Sequence, residues 1–576
     1  MRIYEGSGQM INENLRHWDG IWHPYKALEA HYNEGRYRQL LENKVKVWNS
    51  FKVTEITDKV DWNIDPFENK TWGLYFNSLN WLYSLFWAYD NGMEDHVRMH
   101  DFVVDYCQYL EAGDVNEMAW FDHSTSDRLC FLASLFKHPM FLKFPKESKT
   151  FITKITFEHI SKIRGFYDSK FWFDSNHGVF HALSILNIAQ VSPFSKSDYG
   201  LELFGIKYLE VSLQGIVSID DAFTLEQSVY YHQLALNLLE KIPAHMLEKT
   251  TFDADLTQLI PNMIESNYWI TLDEKTMVSL GDTAFNANVP TEYLSKIDKI
   301  EKFKNFPNCG FSIFKSDNGG GIYDHVSLLH QSSRAPHGHF DALSITIAHN
   351  STPYLIDSGG PYKYGDPFRF TYFMSNRAHN NIMINDQTHK SPSENVEYSS
   401  PANGIYLISA LHKGYHPAQV SRELFIFEAQ GVLVVDKIES LKAESEVKTL
   451  WHFSPECTVS DDGVKFIIGN PHGDLPVYSS LYGRLKADVI SGEEGESPQG
   501  WITDGIGSRV PIETLVAKVQ AKTSLTSAWF FSFSDTNSFE LSETMFSLKL
   551  TKGTAHVGFS DSSVSSVLEL EDSNTN

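Results

Sequence analysis

The sequence predicts a multidomain α+β protein in which a helical domain is followed by an antiparallel β-sandwich. The chain has 576 residues, more than one hydrophobic core usually serves, so two large domains are expected. Apolar residues recur with helical spacing between about residues 70 and 270, and with a period of two after about residue 300. This change of period marks the change from helices to strands.

The helical half contains a series of amphipathic segments. The stretch NSLNWLYSLFWAYDNG, residues 77–92, carries an apolar stripe and ends at Asn91-Gly92, a helix C-terminal signal. Short polar or Gly- and Pro-containing turns join the segments, so serial antiparallel helix pairs are expected. The further segments lie at about 100–111, 126–137, 150–164, 178–190, 200–216, 226–240 and 254–270.

The second half consists of alternating runs separated by turn residues, which is typical of antiparallel sheets packed face to face. The clearest runs are FIFEAQGVLVVDKIESL, EVKTLWHFSPECTVSDDGVKFIIGN, TLVAKVQAKTSLTSAWFFSFS and FSLKLTKGTAHVGF. The predicted domains are an N-terminal helical arm over 1–64, a helical domain over 65–295, the β-sandwich over 296–565 and a disordered polar tail over 566–576.

Charge and composition exclude several partners. The 48 basic and 73 acidic residues give a net charge of -25, which argues against nucleic acid or an anionic membrane as the main partner. No uncharged apolar run has transmembrane length, so no membrane insertion is expected. Aromatic residues make up 14% of the chain, which suits either sugar stacking or a large aromatic core.

The cysteines and the N-terminus bear on the compartment. Neither a disulfide framework nor a cysteine zinc site is predicted, because the cysteines lie far apart. They are Cys107, Cys130, Cys309 and Cys457. The first residues, MRIYEGSGQMINENLRHW, lack the apolar stretch of a signal peptide, so the sequence as it stands predicts a cytoplasmic protein. A chain trimmed of its leader would look the same and would be periplasmic or secreted.

The segment QSSRAPHGHFDALSITIAHNSTPYLIDSGG, residues 331–360, carries the most informative polar pattern. His337 and His339 alternate as on a strand, so both imidazoles are expected to face one ligand or cavity. The apolar run then turns and returns as a hairpin, which brings Asp357 close to His339. A later strand opens with His379. Two imidazoles and a carboxylate are zinc ligands by type, although such spacing is more often structural.

The order of these motifs resembles a known family. HGHFDALSI, followed by YLIDSGG, YKYGDPFRF and SNRAHNNIMIND, resembles the second domain of the heparinase II/III-like polysaccharide lyases. FWFDSNHGVFHALSILNIA (171–189) and EQSVYYHQLALNLL (226–239) resemble signature segments of that family's helical domain, and AWFDHSTSDRLCFLASL (119–135) is similar to its cleft-lining segment. The resemblance covers roughly residues 65–565. It implies an incomplete (α/α) toroid joined to an antiparallel β-sandwich, with the active site between them.

The resemblance implies catalytic and metal-binding residues, and a further group is expected to bind substrate because a cleft for polyanions should collect cations, although its arginines also suit solvated surface positions. The implied catalytic residues are Asn176, His177, Tyr231, His337 and a second-domain tyrosine, for which Tyr364 is favoured over Tyr362 and Tyr372. The substrate-binding residues are expected to be His123, Arg128, Tyr230, Arg334 and Arg377, with Tyr230 also a register alternative to Tyr231. The implied ligands of one structural Zn²⁺ per chain are His339, Asp357 and His379.

The implied activity is β-elimination on an anionic polysaccharide that contains uronic acid, glycosaminoglycan-like or a bacterial exopolysaccharide, to leave unsaturated uronate ends. Removal of the C5 proton requires donors at the uronate carboxylate, a base at C5 and an acid at O4. Asn176 and His177 are suitable donors. Histidine suits the base, whereas a tyrosine base needs a nearby cation, such as zinc, a histidine or Arg377, to lower its pKa of about 10.

Several of these residues also suit purely structural roles. Asn176 is a plausible helix N-cap, Tyr231 a plausible core residue, and Asp122 and His123 a plausible structural pair. Two further functions fit the pattern. One is a zinc hydrolase in which His337 is the general base, which would give a saturated product. The other is a non-catalytic protein of glycan binding or polysaccharide assembly.

Overall fold

The computed structural model describes residues 21–23, 30–48, 51–57, 59–93, 95–196, 200–251, 253–293, 301–330, 337–505, 507–534, 538–550, 553–560 and 563–565. These residues form two compact units. The first contains the described residues up to Ile216 and the segment Asn237–Thr257. The second contains Val217–Leu236 and the described residues from Gln258 onward. The predicted substrate-binding residue Arg334 and the predicted tail over 566–576 lie outside the described residues.

The described part of the first 270 residues is mainly helical. Side chains cap several helix starts: Asn69 accepts N–H bonds from Thr71 and Trp72, and Ser175 accepts one from His177. The α-helices are α1 (Ala30–Leu41), α2 (Lys70–Asn77), α3 (Tyr83–Asp90), α4 (His96–Ala112), α5 (Asp122–Lys137), α6 (Pro139–Leu142), α7 (Lys146–Ser169), α8 (Asn176–Ala189), α9 (Leu201–Ile216), α10 (Val229–Lys241), α11 (Ala244–Leu247) and α12 (Asp253–Ser266).

The predicted helix over 77–92 is confirmed at its end, where Asn91 is the C-cap of α3 and Gly92 has φ 83°, but its start is wrong. Helix α2 ends at Asn77, Leu79 adopts a left-handed conformation with φ 61°, and α3 begins only at Tyr83. A left-handed residue cannot continue a right-handed helix, so most of the apolar stripe lies after this break, in a short 3-10 helix over Asn80–Leu82 and in α3. The other predicted segments correspond to α4, α5, α7, α8, α9, α10 and α12. Helix α5 begins four residues earlier than predicted, at Asp122.

The later part of the described chain is mainly β-structure, and four short strands, β1 to β4, lie within the helical part. Every strand pair in the described residues is antiparallel. The strands are β1 (Lys44–Val45), β2 (Thr54–Glu55), β3 (Val217–Ser218), β4 (Phe223–Thr224), β5 (Phe303–Phe306), β6 (Phe311–Gly319), β7 (Ile322–Leu329), β8 (Ile345–His349), β9 (Thr352–Leu355), β10 (Ile382–Ile384), β11 (Glu394–Ala402), β12 (Ile405–Tyr415), β13 (Ala418–Phe427), β14 (Gly431–Glu439), β15 (Ser445–His452), β16 (Thr458–Asp461), β17 (Phe466–Gly469), β18 (Leu475–Ser479), β19 (Lys486–Ser491), β20 (Trp501–Gly505), β21 (Ser508–Pro511), β22 (Glu513–Ala521), β23 (Leu525–Ser532), β24 (Phe539–Leu541), β25 (Met545–Leu550), β26 (Gly553–Ser560) and β27 (Ser563–Ser565).

Three sheets share the main core of the second unit. An eight-stranded sheet has the order β11-β12-β13-β14-β23-β18-β17-β16, a five-stranded sheet the order β5 to β9, and a four-stranded sheet the order β10-β15-β22-β19. Their buried apolar side chains form one cluster that includes Val326, Ile345, Val434 and Trp529. In the first unit, the near-parallel rings of Trp72, Phe76 and Trp81 form the centre of a separate helical core. Each unit therefore buries its own hydrophobic core.

Two buried polar side chains tie the loops of the second unit to its sheets. Arg422 on β13 pairs with Asp436 on β14 at 2.6 and 2.9 Å and donates to the carbonyls of Leu343 and Asn380 at 2.6 Å. The Asn380 amide in turn donates at 2.7 Å to carbonyls in both arms of the β8–β9 hairpin. These bonds fix the hairpin and the segment that carries His379 beside each other.

Candidate functional site

The second unit contains a polar cluster centred on Asp282, which lies in the loop between α12 and β5 and is 1% exposed. Its Oδ1 accepts from His339 Nε2 at 3.1 Å, and its Oδ2 accepts from His337 Nδ1 at 3.0 Å and from the Tyr364 hydroxyl at 3.2 Å. Arg369 Nη2 donates to both oxygens, at 2.9 and 2.8 Å. One carboxylate therefore binds two histidines, a tyrosine and an arginine.

Glycines allow the loops to approach this carboxylate. Gly281 has φ 60°, and a Cβ there would lie 2.8 Å from the carbonyl oxygen of His337. A Cβ at Gly360 would lie 2.9 Å from the Asp282 Cα and 3.1 Å from His339 Nε2. The glycine pair that follows Asp357 in the sequence is needed because the backbone passes directly against the Asp282 loop.

The predicted strand at His337 and His339 is wrong, because residues 337–344 form turns and extended loop, and β8 begins only at Ile345. The expectation that both imidazoles face one place is nevertheless met, since both donate to Asp282. The hairpin is confirmed, with Ile347 paired to Leu355. Loop geometry rather than strand alternation brings the two rings together.

Tyr231 and His337 lie against each other in the same cluster. Their rings are stacked, with centroids 3.4 Å apart and planes 11° apart, and the Tyr231 and Tyr364 hydroxyls are 2.9 Å apart. Tyr231 thus lies in the cluster, whereas the side chain of its neighbour Tyr230 is half exposed. Of the three candidate second-domain tyrosines, Tyr364 is the one in this cluster, while the Tyr372 hydroxyl bonds to Ser358 and Trp501.

The electrostatics of the cluster favour neutral phenols. Burial, reinforced by the negative charge of Asp282, raises the pKa of Tyr231 and of Tyr364 well above the ordinary value. Burial alone would raise the pKa of Asp282, but hydrogen bonds from His337 and His339 and the charge of Arg369 hold it well below its usual range. Asp282 is therefore a carboxylate, and both ring nitrogens that face it carry hydrogen.

His339, Asp357 and His379 form a fully buried trio, and one candidate ligand atom from each lies within 4.8 Å of the others. His339 donates to Asp282 through Nε2, and His379 faces Asp357 through Nδ1 at 2.7 Å. Among the described residues, His339 Nδ1 and His379 Nε2 have no hydrogen-bond partner. Two imidazole lone pairs beside a carboxylate fit the donor set of a zinc ion.

The first unit contains a second cluster, centred on Asp122 at the start of α5. Its Oδ2 accepts from His177 Nδ1 at 2.6 Å and from His181 Nε2 at 3.0 Å. The other nitrogen of His181 bonds to the Tyr208 hydroxyl at 2.7 Å. Burial would raise the pKa of Asp122, but the two imidazoles hold it well below its usual range. Asp122 thus supports His177 and His181, and the ring of His123 packs on His177 and Phe180.

Asn176 and His177 occupy the first positions of α8. Ser175 is the N-cap, so the alternative that Asn176 caps this helix is wrong. The Trp172 ring is stacked on His177, with centroids 4.7 Å apart and planes 7° apart. The His177 side chain keeps 22% of its surface exposed, while Asn176 is 4% exposed. The position at the start of α8, the stack on Trp172 and the hydrogen bond to Asp122 together fix the His177 ring. Part of its surface stays exposed to solvent.

The structure gives two of the predicted substrate-binding cations, Arg128 and Arg377, other partners. Arg128 is 1% exposed and donates to His159, to the Asn77 carbonyl and to the Ala119 carbonyl at 2.6–2.7 Å. These buried contacts are structural and do not support a direct substrate contact. Arg377 pairs with Asp386 at 3.5 Å. The cation beside the tyrosines is instead Arg369, whose guanidinium lies 5.1 Å from the Tyr364 ring centre.

Sequence reasoning missed four residues of these clusters: Asp122 as a partner of His177, and His181, Asp282 and Arg369 altogether. Two of them follow visible signals. Arg369 lies in YKYGDPFRF beside the favoured Tyr364, and His181 lies one helical turn after His177, on the same face of α8. Asp282, in the loop sequence SLGDTAF, has no such local signal.

The second half of the chain is similar to a known protein family. Residues 299–544 match the family model described as heparinase II/III-like, C-terminal. No curated protein sequence matches the chain. No helix in the described parts of the chain combines the length and apolar character needed to cross a membrane.

Several solved structures share the fold over nearly the whole chain. A crystal structure of heparinase III has a TM-score of 0.69 at 13% identity, over 94% of this chain and 93% of that one. A heparinase III gene product has a TM-score of 0.66 at 14% identity, over 93% and 92%. Heparan sulfate lyase HepC from Pedobacter heparinus has a TM-score of 0.60 at 13% identity, over 96% and 91%. The predicted resemblance is confirmed: the chain has the heparinase III fold, and its residues 299–544 match the model of the heparinase II/III-like C-terminal family.

Proposed function

We propose that the chain is a polysaccharide lyase that cleaves an anionic polysaccharide containing uronic acid by β-elimination. The observation that carries the proposal is the stack of His337 on Tyr231, beside Tyr364 and Asp282. It puts a histidine with an acceptor nitrogen next to protonated phenols. The similarity to proteins named heparinase III and heparan sulfate lyase supports a glycosaminoglycan-like substrate. An incomplete (α/α) toroid and a β-sandwich are the domain forms that we propose with it.

His337 is the proposed base. Its Nδ1–H donates to Asp282, so Nε2 carries the lone pair, and that atom has no hydrogen-bond partner among the described residues. An imidazole lone pair takes a proton readily near neutral pH. In the proposed step, Nε2 removes the C5 proton of the uronate, and the electrons of the C5–H bond form the C4–C5 double bond.

A tyrosine is the proposed acid. As the double bond forms, the C4–O4 bond breaks and O4 takes a proton, so the departing sugar gains a hydroxyl and no water enters. The raised pKa values of Tyr231 and Tyr364 keep both phenols protonated at neutral pH, which suits proton donation. The hydroxyls are 2.9 Å apart, and Tyr364 donates onward to Asp282. Because Tyr364 gives its proton to Asp282, it accepts from Tyr231, and in the proposed step the Tyr231 proton turns from this bond to O4.

Asn176 and His177 are the proposed carboxylate donors. The C5 proton becomes acidic only when charge on the neighbouring carboxylate is stabilised as it grows, which is the work of preorganised donors. Asp122 favours a proton on His177, and the helix N-terminus at Asn176 adds positive partial charge. Both features suit an anion.

Zinc belongs to the proposal as a structural ion. His339, Asp357 and His379 would hold it, and it would cross-link the hairpin to the segment before β10 and add positive charge below the Asp282 loop. One ion per chain is expected. His337 faces the other oxygen of Asp282 and is not counted among the ligands.

A panel of polysaccharides tests the proposed reaction. Heparan sulfate, hyaluronan, chondroitin, alginate and a bacterial exopolysaccharide are incubated with the protein, and the ultraviolet absorbance of unsaturated uronate is followed while products are sized. The proposal expects absorbance to rise with chain shortening on at least one polymer. Shortening with a saturated product would identify a hydrolase. Binding without shortening on every polymer would identify a glycan-binding protein.

A further inference from the structure

We propose that Asp282 is the positioning residue of the site: it holds the base His337 and the zinc ligand His339 in their working orientations at the same time. The inference rests on the proposed function, and it goes beyond the residues implied by the family resemblance. Asp282 is not proposed to touch substrate. It is proposed to act through the side chains that bind to it.

The first support is the pattern of hydrogen bonds. A carboxylate can only accept, so the His337 nitrogen at 3.0 Å and the His339 nitrogen at 3.1 Å must both carry hydrogen. Each neutral ring then has its lone pair on the opposite nitrogen. For His337 this is Nε2, the proposed base, and for His339 it is Nδ1, in the buried trio with Asp357 and His379. A single carboxylate thus selects two tautomers.

The second support is that the Asp282 loop holds His337 in two ways. The side chain accepts from the His337 ring, and the backbone N–H of Asp282 donates to the His337 carbonyl at 2.9 Å. The ring is further confined by the Tyr231 stack. The close approach at Gly281, where a Cβ would lie 2.8 Å from the His337 carbonyl oxygen, keeps the two backbones in direct contact.

The third support is the charge balance. Arg369 contacts both carboxylate oxygens and is itself buried, so the negative charge is matched by a permanent cation. Arg369 therefore helps to fix the carboxylate that both imidazole rings bind. The main alternative is that Asp282 only neutralises the buried Arg369.

Two variants separate positioning from simple neutralisation. Asp282→Asn keeps the shape but removes the charge, and Asp282→Asn with Arg369→Gln removes both charges, which avoids leaving an unpaired buried arginine. For each variant, kcat and KM are measured on the best polymer of the panel, and the melting temperature and zinc content are recorded. Asp324→Asn is the matched control, because Asp324 is 0% exposed and accepts from His349 at 2.8 Å and from Asn350 at 3.0 Å elsewhere in this unit.

We expect both Asp282 variants to lose on the order of 1000-fold or more in kcat with little change in KM, as when an orienting carboxylate is removed from a catalytic histidine. Asp324→Asn should lower the melting temperature but leave kcat within a few fold of the parent. A double variant with near-parental kcat would show that Asp282 merely neutralises Arg369 and would overturn the proposal.

Crystal structures of the parent and of Asp282→Asn, or of the double variant if the single one does not fold, give a readout that needs no substrate. We expect the His337 ring to leave its stack on Tyr231, and zinc content to fall. A His337 ring in the parental orientation with parental zinc content would refute positioning. If the parent cleaves no polymer while the ring still moves in the variant, the proposed reaction fails and the positioning role of Asp282 stands.

Discussion

The two polar clusters of the molecule are built around an aspartate in each unit, but the aspartates are neutralised differently. Asp122 accepts from two imidazoles of one helix, His177 and His181. Asp282 accepts from two imidazoles, a phenol and a guanidinium. The Asp282 carboxylate thus has a permanent cation among its partners, whereas imidazoles donate to the Asp122 carboxylate, and burial lowers the pKa of one of them, His181.

This difference matches the two tasks in the proposed reaction. A base needs an imidazole lone pair, and the hydrogen bond from Nδ1 of His337 to Asp282 places that lone pair on Nε2. A carboxylate-binding site needs donors and positive charge, and the Asp122 carboxylate favours a protonated His177. The same residue pair, aspartate and histidine, is therefore proposed for two different tasks in the two clusters.

The largest effects are expected when a proposed carboxylate donor or the proposed base is removed. Asn176→Ala should lower kcat by on the order of 100- to 1000-fold while ground-state sugar affinity stays nearly intact, because the donor acts on charge that grows in the transition state. His337→Ala should behave alike. The double variant should be little worse than either single one, since groups that serve one step are not additive. Steady-state kinetics and equilibrium binding of an oligosaccharide measure these quantities.

Asn187→Ala is the control for these variants, because Asn187 lies on the same helix but bonds to Trp22. Its turnover per folded molecule should equal that of the parent. Single variants with turnover within a few fold of the parent, on a polymer that the parent cleaves, would show that these residues are structural. Fully additive losses would show that Asn176 and His337 serve separate steps.

Asp122→Asn tests the charge at the first cluster and should cost less, about tenfold to a hundredfold in kcat, because the Asn176 and His177 side chains remain. It also carries a pH signature. The pKa of Asp122 is held below its usual range in the folded state, so its stabilisation is complete above about pH 4 and is lost as pH falls through the folded value. The difference in melting temperature between parent and variant should therefore shrink below about pH 4. A constant difference across that range would contradict the charge assignment.

Asp357→Ala should have its main effect on stability. It removes a buried carboxylate that faces His379 at 2.7 Å and accepts the Gly359 N–H at 3.0 Å, and it removes one proposed zinc ligand. We expect the melting temperature to fall by several degrees and elemental analysis to find less than the one zinc per chain expected of the parent. Normal melting with no turnover would instead indicate a catalytic metal and favour the hydrolase. Zinc-free parent protein would remove the zinc proposal.

Much of the site could be predicted from the sequence because its residues lie in short stretches of distinctive composition. His337, His339, Asp357 and His379 fall within 43 residues, and Asn176 and His177 mark the start of an apolar helix. The β8–β9 hairpin between His339 and Asp357 could be predicted from the alternation of apolar residues and from the turn residues. The strand expected at His337 was not formed, because Gly338 and the close approach of the Asp282 loop hold this stretch as a turn and extended loop.

The sequence by itself determined where helices give way to strands, since hydrophobic period is a local property that each segment carries within itself. Only the tertiary structure decided which carboxylate each histidine meets. Asp282 lies 55 residues from His337 and 87 from Arg369, and Asp122 lies 55 from His177. Contacts over such separations depend on how loops pack and on where glycine lets backbones approach. A buried carboxylate must be hydrogen-bonded to the donors that tertiary packing places beside it. The local sequence does not show which donors these are.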